Sequence, residues 1–189
     1  MLLRALPLLS LLAAMPALAD PLTLTPADPQ PAEADLAPGL AVSYAYPSDV
    51  RTLEDAADAL ADGTPGPALR GFSYPDNAEG DLTLTSTSAQ KVAAAISGFI
   101  RFDAAGTYRV NVVSNDGVVA SIGGQEVAFN DEVHACEPAG EQEVTVPEPG
   151  WYAIEATYFQ RKGTACLEMD WDAGGRMGPV PDAAFAHLP

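Results

Sequence analysis

Alternation of apolar and polar residues at period two is the feature that most constrains the fold of this chain. Tyr108, Val110 and Val112 occupy every second position of one such run, and short runs with the same period continue from Val92 onward. Because successive side chains of a strand point to opposite faces, this period predicts strands that each bury one face. An acidic turn, 114–117, follows the run, and its adjacent polar acceptors are suited to hold an ion or hydroxyl groups.

One segment before these strands has helical rather than strand periodicity. Residues 52–63 place apolar side chains at helical spacing, with Thr52 as an N-cap and Gly63 as a terminating residue. The stretch 40–46 predicts an opening strand, and the two glycines of 122–125 predict a tight hairpin. Regular short strands with Gly and Pro turns predict an all-β, antiparallel β-sandwich with one short helix near its N-terminus.

The first residues have the pattern of a secretory signal peptide. Arg4 provides the positive end, residues 6–14 form an apolar run too short to span a bilayer, and Ala17 and Ala19 precede the cleavage position. We predict a signal peptide at 1–19 and an exported protein, either secreted or periplasmic.

The segment that follows is rich in proline and lacks apolar periodicity. We expect residues 20–38 to form a semi-rigid tether. The remaining residues, 39–189, are enough for one domain with one core.

Acidic side chains greatly outnumber basic ones. The chain contains 26 Asp and Glu against 9 Lys and Arg, for a formal net charge of −17. Nucleic-acid binding needs a basic face, and docking on anionic lipid needs basic residues, so the charge argues against both. Beyond the signal peptide no segment is apolar enough to cross a bilayer, so we expect no membrane insertion.

The two cysteines are Cys136 and Cys166. In an exported chain, an even number with none left over favours a disulfide between them. A metal-binding pair is the alternative, although the sequence has neither a Cys-x-x-Cys spacing nor clustered histidines.

Catalytic motifs are sparse. The two histidines, His134 and His187, are far apart in the chain, and no serine lies in a Gly-x-Ser-x-Gly motif. Pairs of carboxylates are expected by chance in so acidic a chain, so they do not indicate a glycoside hydrolase. We therefore expect a protein that is not an enzyme.

Four ordered motifs resemble the anthrax protective-antigen N-terminal domain family, which also occurs in yeast flocculins and bacterial adhesins. They lie at 97–127, 150–159, 167–171 and 180–185. The resemblance covers roughly residues 39 to 189 and implies a β-sandwich that serves as a binding scaffold.

The resemblance also implies a site. In lectin members of this family, two acidic residues of a Ser-Asp-Asp-Gly motif, joined by a cis peptide bond, coordinate calcium, and the ion ligates sugar hydroxyls. The matching positions here are Asn115 and Asp116. A loop that completes the shell in some members corresponds to 160–164, which implies Gln160 as a further metal ligand. The implied carbohydrate contacts are Asn115, Asp116, Gln160 and Arg161.

This chain departs from the lectin pattern at two places. Asn115 keeps a carbonyl oxygen but lacks the carboxylate charge, and Arg161 and Lys162 place cations in a loop that is small and neutral in lectin-type members. The alternative for 115–117 is a turn whose side chains bond their own backbone.

Two functions follow from these observations. The first is an exported carbohydrate-binding domain, with calcium as its ion and a glycan or cell-envelope polysaccharide as its partner. The second is a protein-interaction or structural domain of the envelope with a degenerate sugar site.

Overall fold

The computed structural model describes residues 21–172 and 175–189, which form two packed β-sheets and one short helix. The predicted signal peptide, 1–19, lies outside the described residues. The strands are β1 (Leu22–Thr23), β2 (Ala37–Pro38), β3 (Ala41–Ala45), β4 (Thr64–Pro65), β5 (Ser73–Tyr74), β6 (Val92–Phe102), β7 (Gly106–Asn115), β8 (Val118–Ile122), β9 (Gln125–Asn130), β10 (Glu137–Val146), β11 (Gly150–Gln160), β12 (Cys166–Asp172), β13 (Gly178–Pro179) and β14 (Phe185–His187). Helix α1 spans Leu53–Leu60, and two short 3-10 helices span Glu33–Asp35 and Asp182–Ala184.

The strands divide between a six-stranded and an eight-stranded sheet. The smaller sheet has the order β1-β10-β7-β12-β13, with β5 also beside β12. The larger sheet has the order β2-β14-β6-β11-β8-β9, with β3 also beside β6 and β4 beside β3. The expected all-β sandwich is therefore confirmed, and its main pairings are antiparallel.

The core lies between the two sheets and is built from the period-two positions. Val110 and Val112 of β7 are buried, as are Ile100 of β6 and Tyr152 and Ile154 of β11. Strands β6 and β11 pair in a long continuous register, with Tyr152 opposite Ile100 and Ile154 opposite Gly98. A shift of one residue would turn each strand's apolar side chains away from the core, so burial fixes the register.

Helix α1 covers one end of the outer face of the larger sheet. Thr52 is its N-cap and accepts a hydrogen bond from the backbone N–H of Asp55 at 3.1 Å, as predicted. Ala56 is buried against Phe159 and Ala93 of the sheet. The helix is shorter than the predicted 52–63, because its last residues form a turn before Gly63.

The Pro-rich segment differs from the tether that its composition indicated. In the structure β1 pairs in parallel with β10, and Leu24 is only 1% exposed within the main core. Gln30 bonds both the N–H and the C=O of Trp151, at 2.8 and 2.9 Å. Only Pro26 interrupts the backbone donors between Leu22 and Ala27, so this stretch can add a strand to the sheet edge despite its proline content.

The predicted glycine hairpin is confirmed. Gly123 and Gly124 have φ of +54° and +77° and connect β8 to β9. Two consecutive turn residues with positive φ give the turn a twist that matches the twist of the flanking strands. Within the described part of the chain, no helix has the length and hydrophobicity needed to cross a membrane.

Candidate functional site

The site lies where β7 ends and β8 begins. The Asn115–Asp116 peptide bond is cis, as the family resemblance implies. Asn115 accepts a hydrogen bond at its backbone carbonyl from the Tyr158 hydroxyl, and the Ser114 hydroxyl donates to the carbonyl of Asp116 at 2.7 Å. Both donors are buried, so the turn is held from inside the sandwich.

The same turn is fastened to the end of β11. The backbone N–H of Asp116 donates to Phe159 O at 3.0 Å, and the N–H of Phe159 donates to Gly117 O at 3.0 Å. A Cβ at position 117 would lie only 2.3 Å from the Phe159 ring, so the close approach requires glycine. This packing places the turn directly beside Gln160.

Asp116 is a buried carboxylate that accepts hydrogen bonds at both oxygens. It is 2% exposed; its Oδ1 accepts from the N–H of His134 at 3.0 Å and its Oδ2 from the N–H of Arg161 at 2.6 Å. Burial raises the pKa of Asp116, and the two backbone donors partly oppose that rise. Neither donor is a cation, so the carboxylate charge is only partly compensated by them.

Two buried amide oxygens beside this carboxylate have no hydrogen-bond partner among the described residues. They are Oδ1 of Asn115 and Oε1 of Gln160. The amide nitrogens of both residues are directed to Thr164, Nδ2 of Asn115 to its hydroxyl at 3.0 Å and Nε2 of Gln160 to its carbonyl at 3.1 Å. Leaving a buried acceptor unsatisfied costs about 1–3 kcal/mol, so two in one place indicate a missing donor or cation.

The side chain of Arg161 is directed to another partner. Its guanidinium bonds Asp49, with Nε to Oδ1 at 3.1 Å and Nη2 to Oδ2 at 3.4 Å. Hydrogen bonds from Arg51 and Arg161 lower the pKa of Asp49 to about 2. Lys162 is exposed to solvent. The positive charge of Arg161, which departs from the lectin pattern, is therefore paired with a carboxylate.

The predicted disulfide is present beside the site. Cys136 and Cys166 are bridged, with Cα atoms 5.9 Å apart. Cys166 is the register partner of Asn115 in the β7–β12 pairing, so the bridge joins the loop before β10 to the strand next to the cis turn. The bridge also excludes the alternative of a metal-binding cysteine pair.

The structure brings together three of the residues that the resemblance implied, Asn115, Asp116 and Gln160. Arg161 takes part through its backbone N–H, while its side chain lies with Asp49. Sequence patterns did not predict the backbone donor at His134 or the Asp49 partner. Both contacts join segments far apart in the chain, and a backbone donor has no signature in residue type.

The fold and this turn define a two-sheet β-sandwich with a buried polar site at the end of one strand. The family model of the PA14 domain matches residues 67–184, and the chain belongs to that family. This confirms the family that the sequence motifs resemble.

Solved structures share the fold. The PA14 domain of the MpAFP antifreeze protein has a TM-score of 0.67 at 18% identity, covering 80% of this chain and 92% of that one. The PA14 sugar-binding domain of an RTX adhesin has a TM-score of 0.64 at 19% identity, covering 79% and 98%. The Epithelial Adhesin 9 A domain of Candida glabrata, in complex with Galβ1-3GlcNAc, has a TM-score of 0.65 at 12% identity, covering 89% and 96%. A search of curated proteins found no match.

Proposed function

We propose that this protein is an exported, non-catalytic carbohydrate-binding domain whose glycan site is built on a calcium ion. Asn115, Asp116 and Gln160 would hold the ion. The observation that carries the proposal is the pair of buried, unpartnered amide oxygens beside the buried Asp116 carboxylate.

The donor set has the chemistry that calcium prefers. Calcium takes six to eight hard oxygen ligands from carboxylates, amide carbonyls and water. Asp116 supplies a carboxylate, and Asn115 and Gln160 supply amide carbonyls. Calcium, when bound, supplies coordination positions that adjacent sugar hydroxyls can occupy.

The residues of this chain orient the set. Thr164 holds the amide nitrogens of Asn115 and Gln160, which turns their oxygens away from it. Backbone donors from His134 and Arg161 fix the Asp116 carboxylate while leaving further lone pairs of its oxygens available. Pairing of Arg161 with Asp49 reduces the repulsion that a divalent cation would meet.

The comparisons support the carbohydrate part of the proposal. One domain of the same family is a sugar-binding domain of an adhesin, and another structure with this fold holds a galactose-containing disaccharide. Export rests on the signal-peptide pattern, and the mature N-terminus would then be Asp20, which mass spectrometry of the exported protein would show.

Calcium titration followed by thermal unfolding tests the metal site. We expect calcium to raise the melting temperature of the unaltered protein, because a ligand that binds only the folded state stabilises it. Asp116→Ala should abolish the rise. Asp58→Ala, which removes an exposed carboxylate on α1, should leave the rise intact.

A glycan array with and without a chelator tests the sugar site. Binding that is lost with the chelator and in Asp116→Ala would support the proposal. Absence of any calcium-dependent rise in melting temperature would overturn the metal site, and the alternative of an envelope protein-interaction or structural domain would then be favoured.

A further inference from the structure

The described residues cover the outer face of the larger sheet only at its ends. Helix α1 packs on Ala45, Ala93 and Phe159 at one end. At the other end, His187 and Leu188 lie beside Phe99 and Ala153 around a small hollow. The middle of this face, between the helix and the C-terminal segment, carries no covering element of the described chain.

That uncovered middle forms an open groove of about 580 Å³. The groove is lined by residues of six strands, β4, β3, β6, β11, β8 and β9. Small side chains make up most of its lining, including Ser43, Ala95, Ser97, Ser121 and Thr157. Because these side chains are short, the backbone of a bound chain can approach the sheet closely.

Two carboxylates lie in one row of this groove. The pairing register places Ser97 opposite Glu155, Glu155 opposite Ser121, and Ser121 opposite Glu126. Glu155 and Glu126 are therefore two strand spacings apart, about 10 Å between their Cα atoms.

Both carboxylates are exposed, and neither has a hydrogen bond or ion pair with a described residue. The groove lining includes no Lys or Arg. Acidic groups on a concave surface reinforce one another's field, so the groove attracts positive charge.

We propose that this groove binds an extended, cationic segment of a partner protein, whose Lys or Arg side chains pair with Glu126 and Glu155. Charge complementarity selects a basic segment. The groove lining contains no aromatic side chain on which a sugar ring could stack, which argues against a second glycan site. The small central residues favour a narrow extended chain over a helix. This surface shares no residue with the calcium site and does not depend on the proposed sugar function.

The test uses a short alanine peptide carrying two lysines as the probe, with binding measured by isothermal titration calorimetry at low ionic strength. The same peptide with glutamates in place of the lysines is the probe control. We expect the lysine peptide to bind and the glutamate peptide not to bind.

Variants of the protein locate the binding. Glu126→Gln with Glu155→Gln should weaken lysine-peptide binding by about fivefold or more, as expected for the loss of two exposed ion pairs. The matched control is Glu79→Gln with Glu143→Gln, which removes the same charge from exposed positions outside the groove. That control should bind as the unaltered protein does.

A second pair of variants tests the groove itself without removing its carboxylates. Thr157→Arg places a bulky cation in the centre of the groove and should abolish peptide binding. Thr107→Arg, at an exposed position of β7, is the matched control and should bind normally. Thermal unfolding of each variant shows that the fold is intact.

Several results would overturn the proposal. The first is that the lysine peptide does not bind. The second is that both charge variants weaken peptide binding equally, and the third is that Thr157→Arg binds the peptide normally. Equal binding of a simple diamine would likewise show that the groove recognises charge rather than a protein segment. Asp116→Ala should leave peptide binding unchanged, so failure here and failure of the calcium site are distinguishable.

Discussion

Asn115 is the residue at which this chain differs most in chemistry from the calcium-binding pattern of its family. At the proposed calcium site it offers an amide oxygen but contributes no charge. Its amide nitrogen bonds the Thr164 hydroxyl, which can equally donate to a carboxylate. An aspartate would therefore fit the same surroundings and add one charge to the donor set.

We predict that Asn115→Asp increases calcium affinity by about tenfold, because the number of charged ligands sets the affinity of calcium sites. Calorimetric titration of calcium measures the change. Gln125→Glu adds the same charge at the opposite end of β9, away from the turn that contains Asn115, and should have little effect. A loss of affinity, or an equal gain in both variants, would show that Asn115 does not contact the ion.

Tyr44 is a buried phenol whose ionisation opposes folding. Burial raises the pKa of Tyr44 to about 12, although hydrogen bonds with Thr85 partly oppose this rise. An unfolded tyrosine ionises near pH 10, so the native state is disfavoured as the pH rises from 10 to 12. The stability linked to this group is fully present below pH 10.

We predict that Tyr44→Phe reduces the alkaline loss of stability by roughly 2–3 kcal/mol between pH 10 and 12. At neutral pH the variant should be less stable by about 1 kcal/mol, because the N–H of Thr85 loses its acceptor. Urea unfolding across this pH range measures both effects. Tyr46→Phe, at an exposed position, is the control, and an equal change there would contradict the assignment.

At the scale of elements, the N-terminal segment and the β8–β9 hairpin support each other. The N–H of Thr25 donates to Gly123 O at 3.0 Å, and a Cβ at Gly123 would lie 2.7 Å from the carbonyl oxygen of Thr25. Gly124 has a similar positive φ but no atom within 4 Å of an added Cβ. The two glycines therefore share a backbone conformation but differ in packing, so comparing them isolates the contact with Thr25.

We predict that Gly124→Ala costs about 1–2 kcal/mol from backbone conformation alone. Gly123→Ala should cost about 1–3 kcal/mol more, since packing strain is added to the same conformational cost. Chemical unfolding of the two variants measures the difference. Equal losses would show that the N-terminal segment does not pack on the hairpin in solution.

At the scale of the whole molecule, the disulfide links a loop to a strand that lies far from it in the sequence. Cys136 and Cys166 are 30 positions apart, and their bridge joins the loop before β10 to β12. Closing a loop of this size stabilises the folded state by roughly 3–4 kcal/mol in the chain-entropy model.

We predict that replacing both cysteines by alanine lowers the free energy of unfolding by roughly that amount. A reducing agent should lower the stability of the unaltered protein and have no effect on the double variant. A loss well below 1 kcal/mol would contradict this contribution of the bridge.

Local sequence patterns were enough to predict the sandwich, the β8–β9 hairpin and the capped helix. Each depends on local patterns: period two for the strands, paired glycines for the β8–β9 turn, and Thr52 before an apolar stripe for α1. Four motifs in order identified the family. The even number of cysteines, together with the predicted signal peptide, predicted the bridge that the structure contains.

The assembly of the candidate site, by contrast, depends on long-range packing. The positions of Asn115 and Gln160 depend on how the end of β7 packs against the end of β11, and the direction of Arg161 depends on Asp49. The pairing of β1 with β10 and the row of Glu155 and Glu126 likewise depend on strand register. Residues far apart in the chain are brought together by burial of the whole core, and local sequence patterns do not encode that pairing.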